Sequence, residues 1–177
     1  IHLIPVHFFS FPYTSEQAKQ KVLDLAKLLT DYCGRLTVEI VPFTHIQEEI
    51  RAKCPEEYFT LIMRRFMMRI AEAIAEQNGC AALVTGEDLG QVASQTLDNI
   101  AAVNEVVSLP VLRPLIGSDK QEIIRRAQSI GTYDISCQTA PDCCTLFMPR
   151  RPETHARIRE VHEAWETFDH EAMIEDL

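Results

Sequence analysis

The sequence lacks most of the signatures that would declare its chemistry. No G-x-x-x-x-G-K phosphate loop and no G-x-S-x-G elbow is present, which excludes the Walker-type nucleotide binders and the hydrolases built on that elbow. There is no C-x-x-C pair, and His155 and His162 are too far apart for an i,i+4 ligand pair, so no metal centre is expected. No apolar run is long enough to cross a bilayer, and no secretory n-region and h-region pair occurs. Positive charge is scarce. Seventeen Lys and Arg face 26 Asp and Glu, and a net charge of −9 argues against this stretch binding nucleic acid unaided. The chain opens Ile1-His2-Leu3-Ile4-Pro5-Val6 without methionine and reads as the interior of something longer. Internal repeats, low-complexity segments and linkers are also missing.

What is present is ordinary in amount and informative in order. The 177 residues are 46% apolar and 24% charged, enough for one domain with a real core. Six cysteines are scattered with no secretion signal, which points to free thiols in a reducing, cytoplasmic setting.

The most informative stretch runs from Leu83 to Gln95. A short aliphatic run, Ala81 to Val84, stops at Gly86, and a polar loop with a second glycine follows before a helix expected near Ser94. A buried parallel strand delivers a loop in this way to the carboxyl edge of a sheet, where ligands bind. Gly86 and Gly90 let backbone approach a ligand, while Glu87, Gln91 and Gln95 offer donors and acceptors.

Around that loop the pattern alternates. Strands are expected over Leu3–Phe9, Leu36–Phe43, Ala81–Val84 and Val106–Leu112. A helix should start at a Thr14/Gln17 capping box and end at Gly34. A shorter helix covers Ile46–Lys53. A long one follows Pro55, with Phe59, Met63, Phe66, Ile70 and Ile74 as its core stripe. Arg64 and Arg65 fall off that stripe, as a solvated face or as ligands for a phosphate or carboxylate. Leu97–Val103 reads as helix, and Ser118 with Gln121 as the capping box of another. Residues 131–140 are expected to be irregular, and the charged tail from Glu153 helical, packed through Ile158, Val161, Trp165 and Phe168. Alternating strands and helices give an α/β fold, a parallel sheet with helices on both faces.

Cysteine chemistry is the sharpest functional possibility. Cys143 and Cys144 lie in a Pro-bounded segment with Cys137 shortly upstream, a setting for an accessible, activated sulfur. Cys33, Cys54 and Cys80 read as buried bystanders. His7 ends a buried strand, either facing a ligand or satisfied in the core. Lys120 stands in the first turn of its helix, unfavourable against the dipole unless an anion lies near; a solvated lysine is the plain alternative.

Several segments together carry a family resemblance: Val84-Thr85-Gly86-Glu87-x-Leu89-Gly90-Gln91-Val92-Ala93-Ser94-Gln95, then Leu112-Arg113-Pro114-Leu115-Ile116-Gly117-x-Asp119-Lys120, and Pro141-Asp142-Cys143-Cys144. With His7-Phe8-x-Ser10 and Met63-Arg64-Arg65, they make the chain similar to the ThiI tRNA sulfurtransferases over nearly its whole length. The resemblance implies residues 1–177 of an adenine-nucleotide α-hydrolase-like, Rossmann-like PP-loop domain, its C-terminal portion. It implies ATP, with Mg2+, activating the C4 oxygen of a tRNA uridine, and sulfur from a cysteine desulfurase then giving 4-thiouridine at position 8. By motif match, His7, Phe8, Arg64, Gly86 and Gln95 would contact ATP. Lys120 and Asp119 would form the essential basic site near the phosphates, and Cys144 would handle sulfur.

The chain departs from the family pattern in that the S-G-G-x-D-S pyrophosphate loop expected just before Ile1, the upstream THUMP region and a rhodanese domain are not in it. Residues 1–177 alone are therefore expected to be catalytically inactive, with tRNA bound through the upstream region. Cys144, Cys143 or Cys137 would receive the sulfur. The family's link to thiamin thiazole synthesis is not carried over without a rhodanese domain. Homodimers are common in the family, and no membrane partner is implied. Another PP-loop tRNA thiolase, an ATP-dependent amide ligase and an ATP-independent persulfide carrier are the rival readings.

Overall fold

A computed structural model describes residues 1–140, 143, 147 and 149–177. The chain divides into two compact units, residues 1–44 with 118–146, and residues 45–117 with 147–177.

The first unit is built on β1 (Val6–Phe9) and β2 (Glu39–Pro42), paired in parallel with His7 opposite Ile40 and Phe8 opposite Val41. Both strands are shorter than the apolar runs around them. β1 starts after Pro5, and β2 stops at Pro42, because proline has no N–H to donate to a ladder. Helix α1 (Glu16–Cys33) follows β1. Its cap is Ser15, whose hydroxyl accepts from the Ala18 N–H, and not Thr14. The Thr14 hydroxyl instead accepts from the Ser10 N–H at 3.1 Å, closing the turn after β1. Gly34 ends α1 at φ +73°, a conformation that favours glycine, and its N–H reaches the Thr30 carbonyl. The core is small: Phe43 is fully buried with the Phe8 ring edge-on at 5.0 Å, joined by Val41, Ala18 and Ala26.

In the second unit, α2 (Thr44–Lys53, its first residue in the first unit) leads through a 3-10 turn at Glu56–Tyr58 into α3 (Phe59–Gln77). Phe59, Met63, Phe66 and Ile70 are buried as their spacing requires, whereas Ile74 is only half-buried. Leu61, Ile62 and Met68 are buried too, because α3 packs against several partners: β3 (Leu83–Val84), α4 (Leu97–Asn104) and the tail helices. β3 pairs in parallel with β4 (Val111–Leu112), Leu83 opposite Val111.

The strand expected from Val106 begins only at Val111. The N–H groups of Ser108 and Leu109 donate to Glu72 Oε1 on α3, at 2.6 and 2.9 Å, so they are not available to a strand partner. Among the described residues there are two two-stranded parallel sheets rather than one long sheet, within the expected α/β class.

Back in the first unit, α5 (Lys120–Ser129) has no buried residue and is followed by α6 (Tyr133–Ser136), a short helix inside the segment expected to be irregular. The tail forms α7 (Ile158–Trp165) and α8 (His170–Glu175) in the second unit. Val161, Trp165 and Phe168 pack as expected, but Ile158 remains 45% exposed. Phe66 anchors this end, with ring centroids 4.7 Å from Trp165 and 5.7 Å from Phe168. Each such side chain contributes about 1.5–3 kcal/mol of burial.

Candidate active site

In the second unit the loop after β3 is organised by one buried carboxylate. Glu87 is 3% exposed and accepts from the Thr85 hydroxyl at 2.9 Å, from Arg113 Nε at 2.7 Å and from Arg64 Nη2. Burial by itself pushes the Glu87 carboxyl up, but Arg64, Arg113 and Thr85 outweigh it and hold the group below its ordinary range. Arg113 also donates to Asn104 Oδ1 at 3.0 Å, so α3, α4, β4 and the loop meet at one ion cluster. Glu87 is consumed in this clamp; it is not the free ligand donor that its place in the loop suggests. Arg64, by contrast, keeps a buried Nε with no partner among the described residues.

The rest of the loop is held by its own backbone. Gly90, at φ +78°, donates to the Gln95 carbonyl at 2.9 Å, and the Gln95 side-chain oxygen accepts from the Asp88 N–H at 3.3 Å. A Cβ added at Gly86 would meet no atom within 4 Å, which leaves space for a ligand against the backbone. Thr96 caps α4, and Asn99 ties the loop to the tail: its side chain donates to the Ala93 and Glu153 carbonyls at 2.8 and 2.7 Å and accepts from Ala156. Neither Asn99 nor Glu87 stood out in the sequence as an organiser. For Asn99, a polar residue inside the apolar periodic segment of α4 is the signal that would have found it; Glu87, in a polar loop, carries no such mark.

Arg65 does not reach the loop. It is fully buried, donates Nε to the Ala102 carbonyl at 2.9 Å and Nη2 to Glu105, and lies over Trp165. Burial draws its pKa down and Glu105 opposes that. The solvated-face reading of the two arginines fails at Arg65 because α3 is enclosed on more than one side.

In the first unit His7 lines a cavity of about 180 Å³ with Thr14, Ala18, Lys21, Val22, Ala140 and Cys143. Lys21 donates to the Ser136 and Gln138 carbonyls, both at 2.8 Å, and so fastens the segment that leads to the cysteines onto α1. No local pattern singles out this lysine. Phe8 packs against Phe43.

Asp119 caps α5 with its own carboxylate, accepting from the Gln121 N–H at 2.7 Å, while Glu122 closes the box on the Asp119 N–H. The box is thus one residue later than Ser118 and Gln121. Lys120 follows as the first helical residue, exposed and without an ion pair among the described residues. Cys143 is buried and Cys137 exposed; Cys33, Cys54, Cys80 and Cys137 are free thiols. Cys144 lies outside the described residues. In the second unit the open face of Gly86 leaves room for a ligand against the backbone; in the first unit the exposed, unpaired Lys120 is available to an anion.

Residues 1–170 match the family described as thiamine biosynthesis protein (ThiI). A probable tRNA sulfurtransferase of Caldanaerobacter subterraneus subsp. tengcongensis is 53% identical over 172 residues, covering 97% of this chain and 45% of that protein. Its counterpart in Acetivibrio thermocellus is 50% identical over 174 residues, covering 98% and 44%. A solved 4-thiouridine synthetase, in complex with RNA and with bound ATP, superposes with a TM-score of 0.91 at 40% identity, over 97% of this chain and 45% of that one. The chain thus spans less than half the length of the relatives it matches. With the match running through β1, the Glu87 loop, α5 and α7, the chain belongs to the ThiI family.

Proposed function

We propose that this chain supplies the C-terminal portion of the PP-loop domain of an ATP-dependent tRNA sulfurtransferase that makes 4-thiouridine. The observation that carries the reading is the likeness along 97% of the chain to a 4-thiouridine synthetase solved with RNA and ATP. The uridine O4 attacks the α-phosphorus of ATP, the bond to pyrophosphate breaks, and an adenylated base results. The outer sulfur of a protein persulfide, loaded by a cysteine desulfurase, then attacks C4 and AMP leaves. Attack by a second thiolate on the carrier sulfur frees the 4-thiouridine and leaves a disulfide, which an external thiol reductant resets.

The residues have distinct parts in this scheme. Arg64, oriented by Glu87, and Lys120, presented by the Asp119 cap, meet phosphate charge, which Mg2+ shares. Gly86 and Gln95 offer the loop to the nucleotide, and His7 and Phe8 contact it from β1. Cys144 carries sulfur, with Cys143 and Cys137 as the neighbouring thiols. Soluble cytoplasmic operation and homodimerisation belong to the same proposal; no helix among the described residues is long and apolar enough to cross a membrane.

The test uses the intact protein with its pyrophosphate loop, beside Cys144→Ser and Cys143→Ser. Each is incubated with unmodified tRNA, ATP, cysteine, a desulfurase and dithiothreitol, and the nucleosides are analysed by mass spectrometry. Loss of 4-thiouridine in Cys144→Ser alone is the expected result. Product surviving in both variants would remove Cys144 and Cys143 from the chemistry. Absence of ATP binding by the intact protein would favour the persulfide-carrier reading.

A further inference from the structure

Lys21 makes contacts that its own helix does not require. It is half-buried on α1, and its ammonium donates to two backbone carbonyls, those of Ser136 and Gln138, both at 2.8 Å. These acceptors lie 115 and 117 residues further along the chain. A helical lysine more often meets a carboxylate one turn away. Asp24 accepts instead from the Gln20 side chain at 2.9 Å, and Lys21 has no ion pair among the described residues.

The two carbonyls flank Cys137. Ser136 ends α6, where the last carbonyls of a helix lack partners within it and a cation is favoured. The Cys137 N–H reaches the Tyr133 carbonyl at 3.0 Å and the Gln138 N–H the Ile135 carbonyl at 3.1 Å, so the backbone of Cys137 is held on both sides. Beyond it the chain has little support: among the described residues Thr139 and Ala140 make no hydrogen bond. One face of α1, with Ala18, Lys21 and Val22 at helical spacing, lines the cavity of about 180 Å³ that Ala140 and Cys143 also line. All of these residues belong to the first unit.

We propose, on the thiolation reading above, that Lys21 is a positioning residue for sulfur transfer, holding Cys137 and Cys143 against α1. It acts through the backbone on either side of Cys137 and not through contact with ATP or the uridine. Both bonds are exposed, so water takes over the carbonyls when the ammonium is removed and the fold survives. What is lost is a single position for the thiols when sulfur attacks C4.

The intact protein with its pyrophosphate loop is compared with Lys21→Met, which keeps the stem and deletes the donors, and with Lys21→Arg, which keeps charge and donors. Formation of 4-thiouridine is measured over ATP concentration at saturating tRNA, with cysteine, a desulfurase and dithiothreitol. Lys21→Met should lower kcat about ten- to a hundredfold with the KM for ATP unchanged, and Lys21→Arg should recover most of the loss. A second readout needs no catalysis. With tRNA, ATP and dithiothreitol removed, iodoacetamide labelling of the buried Cys143, located by tandem mass spectrometry, should quicken about tenfold in Lys21→Met but not in Lys21→Arg.

An unchanged kcat in Lys21→Met, a raised KM for ATP in its place, no recovery in Lys21→Arg, or unchanged labelling of Cys143 would each overturn the role given to Lys21 alone. No 4-thiouridine from the unsubstituted protein would instead overturn the thiolation reading, and the part of Lys21 in sulfur transfer with it.

Discussion

The two units solve the burial problem differently. The second unit, with 10 basic and 18 acidic residues, carries nearly all of the net charge at −8, yet it also has the deeper core and buries four charged side chains, Arg65, Glu72, Glu87 and Asp88. Arg65, Glu72 and Glu87 are each matched by several hydrogen bonds from neighbouring elements. The first unit, with 7 basic and 8 acidic residues, is close to neutral at −1, and its described core holds little beyond Phe43, Val41, two alanines and Cys143. Its helix α5 buries nothing, although it presents Lys120. On the reading proposed above, Lys120 needs access whereas the Glu87 loop needs rigid support, and the difference between the units fits that division.

Substitution of Glu87 should produce the largest effect. Glu87→Ala leaves the half-buried Arg64 and Arg113 without their counter-charge, and a loss of about 3 kcal/mol is expected. Urea unfolding followed by Trp165, which lies in the second unit, measures it. A loss below about 1 kcal/mol would mean the cluster is not what supports the loop.

Acidification acts on the same unit. Glu87 and Glu72 both titrate below their ordinary value of 4.5 when folded, Glu72 because the Ser108 and Leu109 N–H groups, the Ser108 hydroxyl and Arg69 overcome the effect of burial. Their contribution is therefore fully present above the unfolded value and lost as pH falls through it towards the lower folded value. The Trp165 unfolding midpoint should decline once the pH drops below about 4.5, and the decline should flatten in Glu87→Gln.

Two substitutions in the first unit should be milder. Asp119→Ala removes a cap worth about 1 kcal/mol. It should lower hydrogen-exchange protection in α5 while leaving protection in α3 unchanged. Lys120→Met should shift stability by no more than about 0.5 kcal/mol, because the side chain is exposed and unpaired. On the reading proposed above, it still lowers thiolation by the intact protein about 10²–10³-fold. A Lys120→Met protein with full activity would separate α5 from the phosphates.

Local signals were legible where one residue decides the outcome. Gly34 ended α1, Pro42 ended β2 and Gly90 took the left-handed turn, each for a backbone reason visible in the sequence. Caps were legible only to within a residue. Ser15 and Thr14 are both able to cap, as are Asp119 and Ser118; Ser15 capping leaves the Thr14 hydroxyl to accept from the Ser10 N–H, while Asp119 caps α5. The candidate site was legible mainly through its motif resemblance, since Lys120 and Arg64 are ordinary residues on ordinary helices.

By itself the sequence determined the α/β alternation, the core stripe of α3, the glycine-bearing loop and the family, because period, turn residues and motif order are properties of the chain. Tertiary structure alone decided that Arg65 is buried while Arg64 reaches Glu87, that Glu72 takes the N–H groups a longer β4 would have used, and that Asn99 ties the loop to the tail. Those outcomes depend on which distant groups arrive within hydrogen-bonding distance of a buried charge or amide, and no local pattern records that.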